Sequence, residues 1–312
     1  MKKKYGTSLI IGNGFDLNLG MVTDYRSFFN KLNSDDFFAK HADNPLLQFI
    51  KAKGEKENWY DFEGIIQEYA TRGEQAKYLK MIQELLPRIN GALGVEEDSF
   101  KAIKFYRPLS AIAPELDGIV QYTLSNTYIE FAQKCVYVKK VLSQYSEEQR
   151  RLVTEAIRLL KDELVSFLEA ARVNERYPLA YWVLFSVMGF YAPGCAGIAD
   201  KFFEYVDSHK VFPTFRIVSF NYTDTIFEAV NWLKFAKGSS VCLETKDLGE
   251  NFYRIHGALD SEVIFGIDSE CDIPNAFISL RKSNHISINA KQRFSDIIEN
   301  SKRIIIFGHS IY

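Results

Sequence analysis

The stretch RIVSFNYTDTIFEAV (216–230) holds the decision about the fold. Ile217, Val218, Ser219 and Phe220 form an apolar run that stops at Asn221-Tyr222-Thr223-Asp224-Thr225, and a helical pattern begins at once. A strand that is apolar nearly throughout suits a parallel sheet covered on both faces. In such sheets ligands bind beyond the carboxyl ends of the strands, where loops leave for the helices. The polar cluster after Phe220 therefore reads as one wall of a ligand site. Capping is the plainer reading, since Thr223 or Asp224 suits a helix start. One residue suffices for a cap, however, and Asn221 is then left without a role.

Working outward, the same grammar recurs. TSLIIGN (7–13) is a short apolar strand ending in a glycine turn, with a helical DYRSFFNKL (24–32) behind it. NFYRIH (251–256), EVIFGI (262–267) and KRIIIFG (302–308) are short, rich in Ile, Val and Phe, and bounded by turn residues. Helices are expected at TIFEAVNWLKFA (225–236) and INAKQRFSDIIENS (288–301). From Trp59 to His209 the signal is almost wholly helical. In SEEQRRLVTEAIRLLKDELVSFLEAA (146–171), Ser146 and Gln149 form a capping box. Behind it Val153, Ala156, Ile157, Leu160, Leu164, Phe167 and Leu168 recur at helical spacing.

The expected architecture is α/β: a Rossmann-like, mostly parallel sheet split by a large all-helical insertion. Residues 1–58 and 210–312 form a discontinuous nucleotide-binding domain, and 59–209 the insertion.

Composition narrows the function classes. At 312 residues the chain can bury a large core. Hydrophobic content of 47% and charge of 25% are those of an ordinary globular protein. A formal net charge of −2 sets up no global field toward nucleic acid or an anionic membrane. Lys2-Lys3-Lys4 is followed by too few apolar residues for a secretory leader, and no apolar run approaches the roughly 20 residues of a membrane span. Cys135, Cys195, Cys242 and Cys271 lie far apart with no C-x-x-C pair, which argues against a zinc ribbon and suits a reducing cytoplasm.

The strand ends carry the chemistry. They are Gly12-Asn13-Gly14-Phe15-Asp16, Asn221-Tyr222-Thr223-Asp224, His256-Gly257 and Gly308-His309-Ser310. Glycines let backbone N–H groups approach an anion without a Cβ in the way. The G-x-G turn lacks its third glycine, Leu17 standing there, so alone it is also a plain tight turn. His256 and His309 are each, taken singly, turn histidines. Asp61 and Glu63 stand beside aromatic residues at a helix start, where a staple or cap is the simpler role.

IIGNGFDL (10–17), NWYDFE (58–63), FNYTDT (220–225), IHGALD (255–260), FGID (265–268) and FGHS (307–310) together resemble the bacterial abortive-infection family AbiH. The resemblance spans essentially the whole chain. The same order is similar, more distantly, to the sirtuin-like NAD-binding fold. That likeness implies that Gly12 and Gly14 contact a pyrophosphate, Asn221 the nicotinamide ribose and its water, and Gly308 and Ser310 the adenosine side. His256 becomes the base. Asn13, Phe15, Asp16, Thr223, Gly257 and His309 join the cofactor site, and Asp224 the catalytic set. Sirtuins carry an acid where this chain has Thr223, and their zinc-binding cysteines have no counterpart here. Deacylation is thus disfavoured, and the resemblance to sirtuin-like defence NADases implies cleavage of NAD to nicotinamide and ADP-ribose.

Such cleavage passes through an oxocarbenium-like state. Asn221 would orient water, His256 accept its proton, and Asp16 or Asp224 face the positive sugar. The family resemblance implies a phage-derived trigger, with a homo-oligomer in keeping with it, while the cysteine pattern suits the cytoplasm and the charge balance suits neither a membrane nor a nucleic-acid partner. Two other readings stay open. One is a nucleotide-binding sensor without turnover. The other is a nuclease or phosphodiesterase using Asp16, Asp61, Glu63, His309 and a divalent metal, although no H-x-x-x-H or D-x-D pair is present at metal-ligand spacing.

Overall fold

The computed structural model describes residues 5–56, 61–94, 128–171, 215–227, 252–257, 259, 263–267, 271–286 and 288–308. The strands are β1 (Tyr5–Ile11), β2 (Phe215–Ser219), β3 (Phe252–Arg254) and β4 (Ser301–Phe307). Between β1 and β2 come α1 (Gly14–Asn18), α2 (Tyr25–Ser34), α3 (Phe37–Lys40), α4 (Pro45–Gly54), α5 (Phe62–Arg72), α6 (Glu74–Leu93) and α7 (Tyr128–Ala171). Helix α8 (Ile288–Asn300) runs directly into β4.

The fold is mixed α/β, and the four strands make one parallel sheet in the order β3-β2-β1-β4. Register places Ile10 beside both Val218 and Ile306, and Val218 beside Tyr253. One face of the sheet packs Ile10 and Val218, with Ile255 just past β3, onto Ile297 of α8, with Phe294 and Ile298 around them. Each fully buried side chain of this size contributes about 1.5–3 kcal/mol. The alternate residues Leu9, Ile11 and Ile217 are also buried, so the middle of the sheet is covered on both faces. That is why the sequence of β2 alternates so little.

The last strand differs from its reading. KRIIIFG is apolar nearly throughout, as expected of a strand covered on both faces, yet among the described strands β4 stands last in the order with Ile304 38% and Ile306 43% exposed. EVIFGI also departs from expectation. Residues 263–267 join no strand of the sheet, although Val263, Ile264, Phe265 and Ile267 are buried. Ile267 makes an isolated bridge with Arg281. A short apolar run reports burial, and here the burial is of irregular backbone.

The chain divides into two compact units. The sheet belongs to the one comprising 1–37, 159–265 and 282–312. In it α2 packs on the end of α7, Phe28 against Phe167 at 5.5 Å, with Lys31 bonded to Glu163 at 2.9 Å. The other unit comprises 38–158 and 266–281. There Tyr69 of α5 meets Phe49 of α4 at 5.5 Å and Phe277 at 5.6 Å. The expected domain boundaries at 58/59 and 209/210 fall outside the described residues. Among the described residues no helix is long and apolar enough to cross a membrane.

Helix α7 overturns the expected capping box. Ser146 lies inside a continuous 44-residue helix, where its Oγ donates back to Leu142 O at 3.0 Å. Serine without a free N–H beyond it to cap turns instead to the preceding carbonyl. Real caps occur where expected types meet open N–H groups. Asp24 accepts from Ser27 N at 2.8 Å, and Asp61 Oδ1 from Gly64 N at 2.9 Å.

Candidate functional site

Four parallel strands put their carboxyl ends on one rim, so the sheet alone brings together segments hundreds of residues apart. From β3 to β4 the rim reads His256-Gly257, Asn221 to Asp224, Gly12 to Asp16, and Gly308. His309 and Ser310 lie outside the described residues, as does Asn58-Trp59-Tyr60. All the rim residues belong to the sheet-bearing unit.

At the β1–β4 side two glycine turns interlock. Gly14 N–H donates to Gly308 O at 2.8 Å, and Gly12 N–H to Phe307 O at 3.0 Å. A Cβ on Gly14 would stand 2.6 Å from Gly308 Cα, and one on Gly308 would stand 2.4 Å from Phe15 N. Gly308 also has φ +64°, the left-handed region that glycine tolerates best. Phe15 packs edge-on to Phe307 at 6.0 Å and seals the junction. Asn13 bonds to the chain beyond α1. It donates to Thr23 O at 3.0 Å and accepts from Thr23 Oγ1 at 2.8 Å, pinning the loop after α1.

Between β1 and β2 stands Asp16, 0% exposed. Thr223 Oγ1 donates to its Oδ2, tying α1 to the end of β2 across the rim. Burial pushes the Asp16 carboxyl up from 3.8 to about 6, because desolvation disfavours its charge, while Thr223 and Thr225 pull the other way. Thr225 makes no bond of normal geometry with Asp16; its Oγ1 donates to Met21 Sδ at 3.6 Å. Asp16 Oδ1 and Asn221 Oδ1 are both buried and have no hydrogen-bond partner among the described residues. A buried acceptor left in that condition costs about 1–3 kcal/mol. Folded chains keep such groups mainly where they have another use.

The β2–β3 side is aromatic and charged. His256 stacks on Tyr222 at 5.9 Å and meets the edge of Phe220 at 5.3 Å. Tyr222 in turn donates from its hydroxyl to Ile264 O at 3.2 Å, and Ile264 N–H donates to His256 O at 2.8 Å. The imidazole is thus held in orientation by rings and by the chain that follows it. Gly257, at φ +80°, makes the turn that brings that chain back. Asp224 forms an ion pair with Arg254, whose guanidinium also lies 5.2 Å from the Phe227 ring centre and 5.5 Å from that of Phe252.

Sequence reading did not single out Arg254. Its signal was available: it stands two residues before His256 on a strand, where alternate residues share a face. Tyr222 was visible but had no partner to stack on until His256 was placed beside it. Asp61 is the N-cap of α5, in the other unit. Among the described residues no group of three His, Cys, Asp or Glu side chains could hold a metal ion.

The family model described as "Bacteriophage abortive infection AbiH" matches residues 9–312. No curated protein and no solved structure matches the chain.

Proposed function

The chain belongs to the bacteriophage abortive infection AbiH family, and on that premise we propose that it acts in phage defence by binding NAD at the sheet rim and hydrolysing it. The single observation that supports this most is the pair of buried, open oxygens of Asp16 and Asn221 at adjacent strand ends, one strand away from His256. A sirtuin-like arrangement of the motifs is part of the same reading. It rests on their order along the chain: glycine turn, strand-end Asn, His-Gly, and a final glycine turn.

In the proposed reaction the bond between the ribose C1′ and the nicotinamide nitrogen breaks, and its electron pair returns to the ring. The leaving group is then neutral, so no strong general acid is needed. Asp16 suits the role of facing the positive sugar, since among the described residues its carboxyl meets the Thr223 hydroxyl and no cation. Asp224 is already neutralised by Arg254 and serves to hold the β2 and β3 ends together. Asn221 orients water through its side-chain oxygen. His256 takes the proton as water adds to C1′. NAD and water yield nicotinamide, ADP-ribose and one proton.

The experiment is incubation of the full chain with NAD and measurement of free nicotinamide. Release is expected, and His256→Ala should slow it by about 10²–10⁴-fold, with Asn221→Ala also impaired. Nucleotide binding with no release would replace the enzyme with a sensor. Metal-dependent cleavage of nucleic acid would replace both.

A further inference from the structure

We propose that Tyr222 is a positioning residue, which holds the His256 imidazole in fixed register with Asn221 across the ends of β2 and β3. Tyr222 acts through His256. This deepens the hydrolytic reading above and rests on it for the roles of His256 and Asn221.

Tyr222 follows Asn221 directly and reaches the chain after β3 at three points. Its ring lies against the His256 imidazole, with centres 5.9 Å apart and planes inclined by 29°. Its carbonyl accepts from Leu259 N–H at 3.2 Å, and its hydroxyl donates to Ile264 O at 3.2 Å. Ile264 N–H then returns to His256 O at 2.8 Å. The circuit from the Tyr222 ring to His256, on to Ile264 and back to the Tyr222 hydroxyl is closed. A swing of the imidazole therefore breaks a contact at the end of β2.

Phe220 completes the clamp, its ring 5.3 Å from the imidazole and at 87° to it. One neighbour is nearly parallel and the other edge-on, the two arrangements that ring quadrupoles favour. Core packing is the plainer role for a tyrosine. Tyr222 is only half-buried, however, and its hydroxyl is spent on the same peptide segment that bonds the His256 carbonyl.

A reacting pair has to be held within about 0.5 Å of the productive geometry. Asn221 and His256 follow different strands, and the ladder between β2 and β3 aligns only the backbones. The rotation of the imidazole is left to the rings around it. Tyr222 is the one that is covalently joined to Asn221, so it sets both groups at once.

Proton magnetic resonance on the full chain, with labelled histidine and tyrosine, tests the geometry, and His256→Ala supplies the assignment. Overhauser contacts between the His256 and Tyr222 rings are expected, with the imidazole protons displaced upfield by the stacked ring. Tyr222→Leu should abolish that displacement, and Tyr222→Phe should keep most of it. Steady-state release of nicotinamide tests the consequence. Tyr222→Leu is expected to lower kcat by about tenfold to a hundredfold with KM unchanged, and Tyr222→Phe to recover part of that loss. Absence of the Overhauser contacts would overturn the proposal. So would Tyr222→Leu with unaltered imidazole shifts or unaltered kcat, and a rise in KM alone would make Tyr222 a substrate contact instead. If Tyr222→Leu does not fold, the ring contacts in the unaltered chain decide alone. If wild type releases no nicotinamide, hydrolysis falls, and the same ring contacts decide whether Tyr222 positions His256.

Discussion

At the scale of one residue, Asp16 makes folding sensitive to pH. An acid whose folded value stands at about 6, above its ordinary 3.8, binds its proton more tightly in the folded chain. Its contribution is therefore most favourable below the ordinary value, falls as pH rises toward 6, and is level above that. The whole effect is about 3 kcal/mol. Urea unfolding at several pH values should show that decline, and Asp16→Asn should flatten it. The same variant should be at least as stable as wild type at pH 7.5 while losing nucleotide binding. Loss of stability and binding together would mean that Asp16 serves the fold alone. That Asn221 and His256 come to one rim was legible in the sequence, because each follows an apolar run at a strand's carboxyl end. The Asp224–Arg254 pair was not, because an ion pair between residues thirty apart has no local pattern.

At the scale of elements, the turns and helices give opposite lessons about reading small residues. Gly308→Ala combines a left-handed backbone with a Cβ 2.4 Å from Phe15 N, and is expected to destabilise by at least about 2 kcal/mol. Thermal melting should show it as a clear drop. Ser146→Ala, by contrast, should be neutral or stabilising by up to about 0.5 kcal/mol, because Ser146 is interior to α7 and Ala is the better helix former. A loss of about 1 kcal/mol would restore the cap that the sequence suggested. Sequence periodicity found α2, α8 and the latter part of α7 because each has one apolar stripe. It could not see that α7 begins long before residue 146, since a Ser-x-x-Gln pattern reads alike at a helix start and inside one. Nor could it separate residues 263–267 from a strand. Pairing partners, and not hydrophobicity, decide that difference.

At the scale of the molecule, β1 is the sheet's keystone, flanked by β2 and β4. Its partners Phe215 and Ser301 lie some two to three hundred residues along the chain from Thr7 and Tyr5. Long loops must close before these contacts form, which slows folding. Refolding from denaturant is expected to be slow, and removal of residues 301–312 should leave the chain aggregated, with β1 as a bare edge. A soluble 1–300 fragment with native near-ultraviolet dichroism would contradict this. The parallel class of the sheet was readable from β2 alone, whereas the order of its strands was not. Apolar runs state that a strand is buried and are silent on its neighbours, so the pairing of β4 with β1 could not be read from KRIIIFG.

The interlock of Gly14 with Gly308 has a consequence during synthesis. The first turn leaves the ribosome early but meets its counterpart only after residue 308 has been added. The rim therefore gathers late, since Asn221 and His256 follow Gly14 by more than two hundred residues and Gly308 follows them both. Whatever chemistry the rim performs is withheld from unfinished copies, a safeguard written into topology and needing no separate inhibitor.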